Sequence, residues 1–230
     1  MVVRCVIFAL LTLVFGVVPG VSSDRESEGL AERTLRHPAM SRWVVDGAVG
    51  VRLWDLSGEP AEHRAYLEQS QVGAVLGIDV SVFPWGPYGL GITHSRFHAT
   101  ASDDDLCFPD NSRRPAKDDF TVHYVGPSFY MSHPLAKGQA SLVGQVGLGW
   151  LFYRSESTIG AFPGICEGTT LGLHAAVSAD YRILPWFGIG AGVRLIHGTL
   201  EGVHYNAMET SIPALSLTRV DVAAGLRFYP

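Results

Sequence analysis

The stretch FGIGAGVRL (residues 187–195) sets Phe187, Ile189, Ala191, Val193 and Leu195 on one phase of a two-residue alternation and Gly188, Gly190, Gly192 and Arg194 on the other. Successive residues of a strand point to opposite faces, so one side of this segment is continuously apolar and the other is nearly bare until a cation ends it. A strand that buries its apolar face in a soluble sheet carries full-sized polar groups on its second face. Glycine there leaves room for something else.

The same asymmetry recurs along the chain. Alternating runs occupy residues 42–54, 71–83, 88–101, 120–132, 139–154, 170–184, the region of the quoted stretch, and 217–229. Each is long enough for a membrane-spanning strand of about ten residues. The fourth run is the least regular, because Pro127 in YVGPSFYM (124–131) cannot donate to a ladder and predicts a bulge or a gap in pairing. Connections are short at 84–87, 133–138 and 184–186, and long and polar at 55–70, 102–119, 155–169 and 201–216. Short turns at one end and long loops at the other describe an up-and-down meander. The expectation is an all-β fold, an eight-stranded antiparallel up-and-down transmembrane β-barrel.

Volume decides which face is which. An eight-stranded barrel is only just wide enough to be filled by side chains. Large apolar groups from every strand would overfill it, whereas Gly, Ala, Ser and a few charged groups fit. The apolar phase therefore faces outward, and a continuous apolar belt is tolerable only in lipid. Trp43, Phe83, Trp85, Tyr88, Trp186, Phe187, Phe228 and Tyr229 lie near the short-turn ends of their strands and predict an interfacial girdle.

The first residues form a separate unit. Arg4, the apolar run 6–18 and the small residues Val21, Ser22 and Ser23 read as a signal peptide over 1–23, too short to span a membrane as a helix. Residues 24–40 are charged and read as a periplasmic lead-in segment, with the barrel over 41–230. A net charge of −5 gives no footing for nucleic acid. Cys5 leaves with the signal, and the remaining pair, Cys107 and Cys166, falls in long loops that neighbour each other on the rim. In an oxidising compartment this predicts a disulfide worth about 2–4 kcal/mol.

With this architecture, YVGPSFYM and the terminal DVAAGLRFYP (221–230), residues 41–230 resemble the small eight-stranded outer-membrane barrels of Gram-negative bacteria, the OmpA/OmpX type. The resemblance implies contact with outer-membrane lipid and insertion by the barrel-assembly machinery. That machinery reads an aromatic residue at the end of the last strand, a role carried here to Phe228 or Tyr229, although Pro230 follows and Ala223 stands where the signal often has Gly.

The inward phase collects Asp46, Arg52, Asp79, Gln145, Asp180, Arg182, Arg194, Asp221 and Arg227. Mixed signs in so narrow a lumen predict a hydrogen-bonded plug rather than an ion path. An antiparallel register of the first and last strands that sets Asp46 opposite Arg227 also sets Arg52 opposite Asp221, and that is the expected closure.

No catalytic constellation stands out. Thr93-His94-Ser95 places its histidine and hydroxyls on opposite faces, and no His-x-Ser pair of the lipid A deacylase kind occurs. His94 and His98 share a phase but sit about 13 Å apart, too far for one metal. Asp103-Asp104-Asp105 lacks the spacing of a calcium loop. The expectation is a monomer, not an enzyme, with no cofactor or metal. Its role is structural or lies in surface interaction, through an extracellular ligand or protein met by the loops. The alternatives are a secreted, soluble lipocalin-like ligand-binding barrel and a lipid-modifying outer-membrane enzyme.

Overall fold

Alternating runs of apolar and small residues become long strands in the computed structural model, which describes residues 40–53, 61–107, 112–135, 139–201, 203–205, 208–210 and 215–230. The expected signal peptide and nearly all of the lead-in segment lie outside these residues. Strand β1 (Met40–Arg52) is followed by helix α1 (Ala61–Gln69), then β2 (Val72–Trp85), β3 (Tyr88–Cys107), β4 (Arg113–Leu135), β5 (Ala140–Ile159), β6 (Phe162–Leu184) and β7 (Phe187–Leu200). Three short strands, β8 (Val203–Tyr205), β9 (Met208–Thr210) and β10 (Leu215–Ser216), precede the last, β11 (Arg219–Phe228). Strands β1 to β7 pair in chain order, and β11 lies between β7 and β1. The result is a closed, antiparallel, eight-stranded up-and-down barrel. A closed ring leaves no edge in the part of the wall that all eight strands share.

The closing register differs from the expected one. Trp43 pairs with Phe228, Asp46 with Gly225, Val49 with Val222 and Arg52 with Arg219. The slip is two residues, which keeps every side chain on its face. Hydrophobic pattern therefore could not tell the two registers apart. Gly225 opposite Asp46 leaves room for the Asp46 carboxylate, which a Cβ at 225 would meet at 2.6 Å, and Arg227 reaches that carboxylate diagonally.

Pro127 interrupts pairing without bending the register. The ladder between β4 and β5 runs to Val125↔Trp150, omits Gly126 and Pro127, and resumes at Ser128↔Gly147 in step. On its other edge, Pro127 stays opposite Ile92.

The outward face carries large exposed apolar groups, among them Val222 (65%), Ile92 (61%) and Leu171 (58%). At the short-turn end Trp43, Trp85, Tyr88 and Trp186 are exposed, whereas Phe83 is buried inside against Tyr130. Phe83 belongs to the opposite phase from Val80 and Val82, so its place in a girdle is corrected. Tyr229 is also buried, under the Arg182 guanidinium.

Two of the expected polar loops are strands. β3 and β4 run for 20 and 23 residues, as do β5 and β6, so 102–107 with 113–119, and 155–169, form tall hairpins that extend the wall past the last outward apolar rows. The β5–β6 hairpin turns at Gly160, whose φ of 61° suits a residue without Cβ. Beyond the apolar rows a strand needs no apolar face, and its ladder alone can carry it; a search for alternating hydrophobicity misses such extensions.

Helix α1 arises in what read as a polar loop. Its Tyr66 packs on Ala101, Leu106 and Ala116 of the first tall hairpin and donates its hydroxyl to Asp118 at 2.7 Å. Gln69 accepts from the Ser102 backbone at 3.1 Å. Burial, reinforced by the bond to Asp118, pushes the Tyr66 phenol above its ordinary value of 10.0. A proton held more tightly in the docked state stabilises docking fully below pH 10, and that contribution is lost as the pH rises further. Tyr66→Phe is expected to weaken docking by about 1 kcal/mol and to abolish this alkaline step, read from trypsin cleavage after Arg64 against pH. An unchanged step in the variant would assign it to another group.

Candidate functional site

The interior divides into two layers. Toward the short turns, buried charges of both signs form one network. Arg227 on β11 donates from Nη1 to Asp46 on β1 and from Nε to Asp180 on β6 at 2.8 Å. The other oxygen of Asp180 takes Arg42 at 2.7 Å. Arg194 on β7 meets Asp79 on β2 at 3.1 Å and lies 3.7 Å from Asp46. Gln145 on β5 donates to Asp79 at 3.2 Å, to Tyr130 at 2.9 Å and to Thr93, and Thr93 shares a hydrogen bond with Ser128 at 2.9 Å. Each buried charge here has an opposite partner, the condition under which burying it is tolerable.

Toward the tall hairpins the filling turns apolar. Val75, Phe97, Phe120, Val122, Tyr124, Leu151, Ile196, Leu200 and Leu217 pack into one buried cluster. Glycines make that packing possible. A Cβ at Gly172 would stand 2.6 Å from Cδ1 of Leu151, one at Gly198 would meet the same atom still closer, and one at Gly168 would stand 2.8 Å from Leu200. The glycines of the opening stretch serve the charged layer in the same way. A Cβ at Gly190 would stand 2.5 Å from the Asp180 carboxylate and 2.7 Å from Arg227 Nε.

Arginines join the layers. Arg219 donates to Asp221 at 3.1 Å and to Ser95 at 2.6 Å, and its guanidinium lies 5.4 Å from the centre of the Phe97 ring. Arg52 stands 4.5 Å over Phe120. Both contacts use the attraction of a cation for an aromatic face. The cavity among the charged residues is about 20 Å³, room for about one water.

Of the residues expected in the lumen, Asp46, Asp79, Gln145, Asp180, Arg194 and Arg227 meet in one network. Asp221 and Arg52 do not meet each other, because the register sets Gly50 opposite Asp221 and Arg219 opposite Arg52, and Asp221 pairs with Arg219. Arg182 lies outside the network at the short-turn rim, 4.2 Å over the Tyr229 ring and 3.5 Å from Met40 Sδ. Arg42 and Arg219 were missed, although each shares a phase with a recognised aspartate two or four positions away and the same alternation identifies them. The apolar layer was missed because inward Phe97, Phe120 and Leu151 contradict a rule that puts only small and charged groups inside.

The expected disulfide is absent: neither Cys107 nor Cys166 is in a disulfide. Cys107 ends β3 and Cys166 lies on β6, with β4 and β5 between them. At the spacing of paired strands that is roughly 14 Å along the wall, well beyond the reach of an S–S bond. Burial raises the Cys166 thiol above its ordinary value, so it stays protonated at neutral pH. Thr93 and Ser95 are buried inside, while His94 faces outward and contacts His123 at 3.3 Å. His98, also outward, meets Asp119 at 3.3 Å, and Asp105 of the acidic run pairs with Arg113 at 2.8 Å. Phe228 pairs with Trp43 and Phe187, and the Tyr229 amide donates to Trp186 at 2.9 Å, which anchors the end of the last strand.

A closed ring of eight strands with an apolar exterior and a filled lumen is the fold of small outer-membrane β-barrel proteins. Among solved structures, a major outer membrane protein from Thermus thermophilus aligns with a TM-score of 0.51 at 13% identity, over 84% of this chain and 100% of that one. Neisserial surface protein A aligns with a TM-score of 0.49 at 12% identity, over 84% and 99%. The outer membrane protein OprG from Pseudomonas aeruginosa aligns at 0.48 and 12%, over 84% and 97%. No protein-family model and no curated protein matches the sequence. The likeness is one of fold.

Proposed function

We propose that the chain is an integral outer-membrane barrel, exported by a cleaved signal peptide, whose lumen is a structural plug and whose work is a surface interaction carried by the tall hairpins. The single observation behind this reading is the filled interior: paired charges below, close-packed apolar groups above, and about 20 Å³ of space among the charges. A lumen so filled has no volume for a drug-sized ligand, which needs about 300 Å³ or more, so the soluble ligand-binding alternative loses its pocket. The enzymatic alternative needs an inward polar group that a substrate can reach; the inward Asp and Gln side chains of the charged layer are engaged with one another, and His174, whose ring nitrogens make no hydrogen bond among the described residues, is buried away from solvent. The exposed apolar exterior supports lipid as the solvent. In this reading the barrel is a monomer without a cofactor, and Phe228 or Tyr229 is the residue read during assembly.

The test combines fractionation with conductance. The expressed protein is expected in the outer-membrane fraction, with a detergent extract whose gel band shifts on boiling, and in planar bilayers it should add no steady conductance. A soluble product would sink the membrane reading. A stable open channel in the unmodified protein would sink the plug.

A further inference from the structure

The outward apolar belt carries a notch. Along one cross-strand row of the outer wall stand Ile78, His94, Val125, Trp150 and Leu171, and along the next, nearer the tall hairpins, stand Leu76, Arg96, His123, Phe152 and Thr169. On β2 the apolar phase continues to Val72, on β5 to Phe152 and on β6 to Leu171, yet on β3 it stops at Ile92 and on β4 at Val125. Three nitrogen-bearing side chains therefore sit within rows that are apolar on either side.

A groove of about 550 Å³ opens along this notch and above it, with Arg96, His98, His123, Phe152 and Thr169 in its walls. Its three carboxylates are already engaged. Asp119 faces His98 at 3.3 Å, and Arg154 holds Glu156 at 2.8 Å and Glu167 at 2.7 Å. Arg96 makes no hydrogen bond or ion pair among the described residues, and its direct cross-strand neighbour is His123. A guanidinium flanked by Leu76 in an apolar row is costly to leave without a counter-charge.

We propose that this notch seats the phosphate of an outer-leaflet lipid, held by Arg96 with His94 and His123 as further hydrogen-bond partners. The inference rests on the membrane reading above, which puts this level at the boundary between acyl chains and head groups. Arginine presents several donors to one phosphate. Ile92 lies on the short-turn side of the notch, and Trp150 and Leu171 continue the His94 row beside it, where acyl chains attached to that phosphate would run. A phosphate arriving from water would gain the cation but leave this apolar floor uncovered, which favours the lipid as its source.

The test uses the full chain in nanodiscs of phosphatidylcholine doped with phosphatidic acid, counting lipids retained by native mass spectrometry after release from the disc. The unmodified protein should retain phosphatidic acid about tenfold in preference to phosphatidylcholine. Arg96→Gln should abolish the preference, Arg96→Lys should keep part of it, and Arg113→Gln, high on the first tall hairpin in its pair with Asp105, should leave it intact. The boiling-induced gel shift verifies that each variant is folded, and His123→Gln, expected to weaken the preference, supplies a second reading should Arg96→Gln not fold. Equal retention by the protein and its Arg96→Gln variant would overturn the proposal. So would displacement of the lipid by millimolar inorganic phosphate, which would make the site one for the free ion. A chain that never enters the discs refutes the membrane reading itself, a failure distinct from insertion without preference.

Discussion

Arg227→Met should destabilise the folded barrel by about 3–5 kcal/mol, the cost of leaving buried charge without its partner. Among the described residues, Arg227 is the only side chain that touches both Asp46 and Asp180, and all three are buried. Asp180 keeps Arg42 at 2.7 Å and Asp46 keeps Arg194 at 3.7 Å, which places the expected loss toward the lower part of that range. Adding Asp46→Asn should recover part of the loss, because it removes a charge that Arg227 compensated while Arg42 keeps Asp180 and Arg194 keeps Asp79. The urea dependence of the unboiled, fast-migrating gel band measures both variants. A single substitution without effect would show that water reaches these carboxylates and that the network does not hold the wall together.

Leu151→Ala should cost about 2–5 kcal/mol and also breach the apolar layer. Leu151 is wholly buried and rests against Gly172 and Gly198. Residues without side chains cannot move in to fill the void, so little collapse relieves it. The converse change, Gly172→Ala with Leu151 in place, overpacks the same contact and should cost about 1–3 kcal/mol. Combined, the two should destabilise by less than their sum, since each relieves the other's misfit. Planar-bilayer recording adds a second readout, in which Leu151→Ala should show brief openings absent from the parent. Strict additivity would mean that Leu151 and Gly172 do not share one packing site.

Several features of this site were legible beforehand. Period-two alternation located all eight wall strands, and the exclusion of bulk from a small barrel told the outward phase from the inward one. From those two facts Asp46, Asp79, Gln145, Asp180, Arg194 and Arg227 could be assigned to one lumen. The closing register was not legible, because a slip of two residues changes no face and so leaves no trace in a hydrophobic pattern. The partner of Arg42 was equally hidden: Asp180 is 138 residues away, across the lumen rather than on a paired strand.

The tall hairpins and α1 mark a different limit. Residues 102–107, 113–119 and 155–169 are too polar to read as strands from hydrophobicity, and they join the wall because each extends a ladder already nucleated below it. Helix α1 takes its place from the Tyr66 contact with a hairpin that the sequence had marked as a loop. Cys107 and Cys166 looked like neighbours while those segments were loops, and the extended wall separates them.

What the sequence determined by itself is the local alternation, and with it the strands, their two faces and the closed barrel that such faces require in lipid. Which charge meets which, how Leu151 finds the gap over Gly172 and Gly198, and how far the wall rises were decided only by the tertiary structure. Alternation is a property of one strand and its surroundings, whereas register, diagonal ion pairs and knob-on-glycine packing depend on positions in several strands at once, which no single stretch of chain encodes.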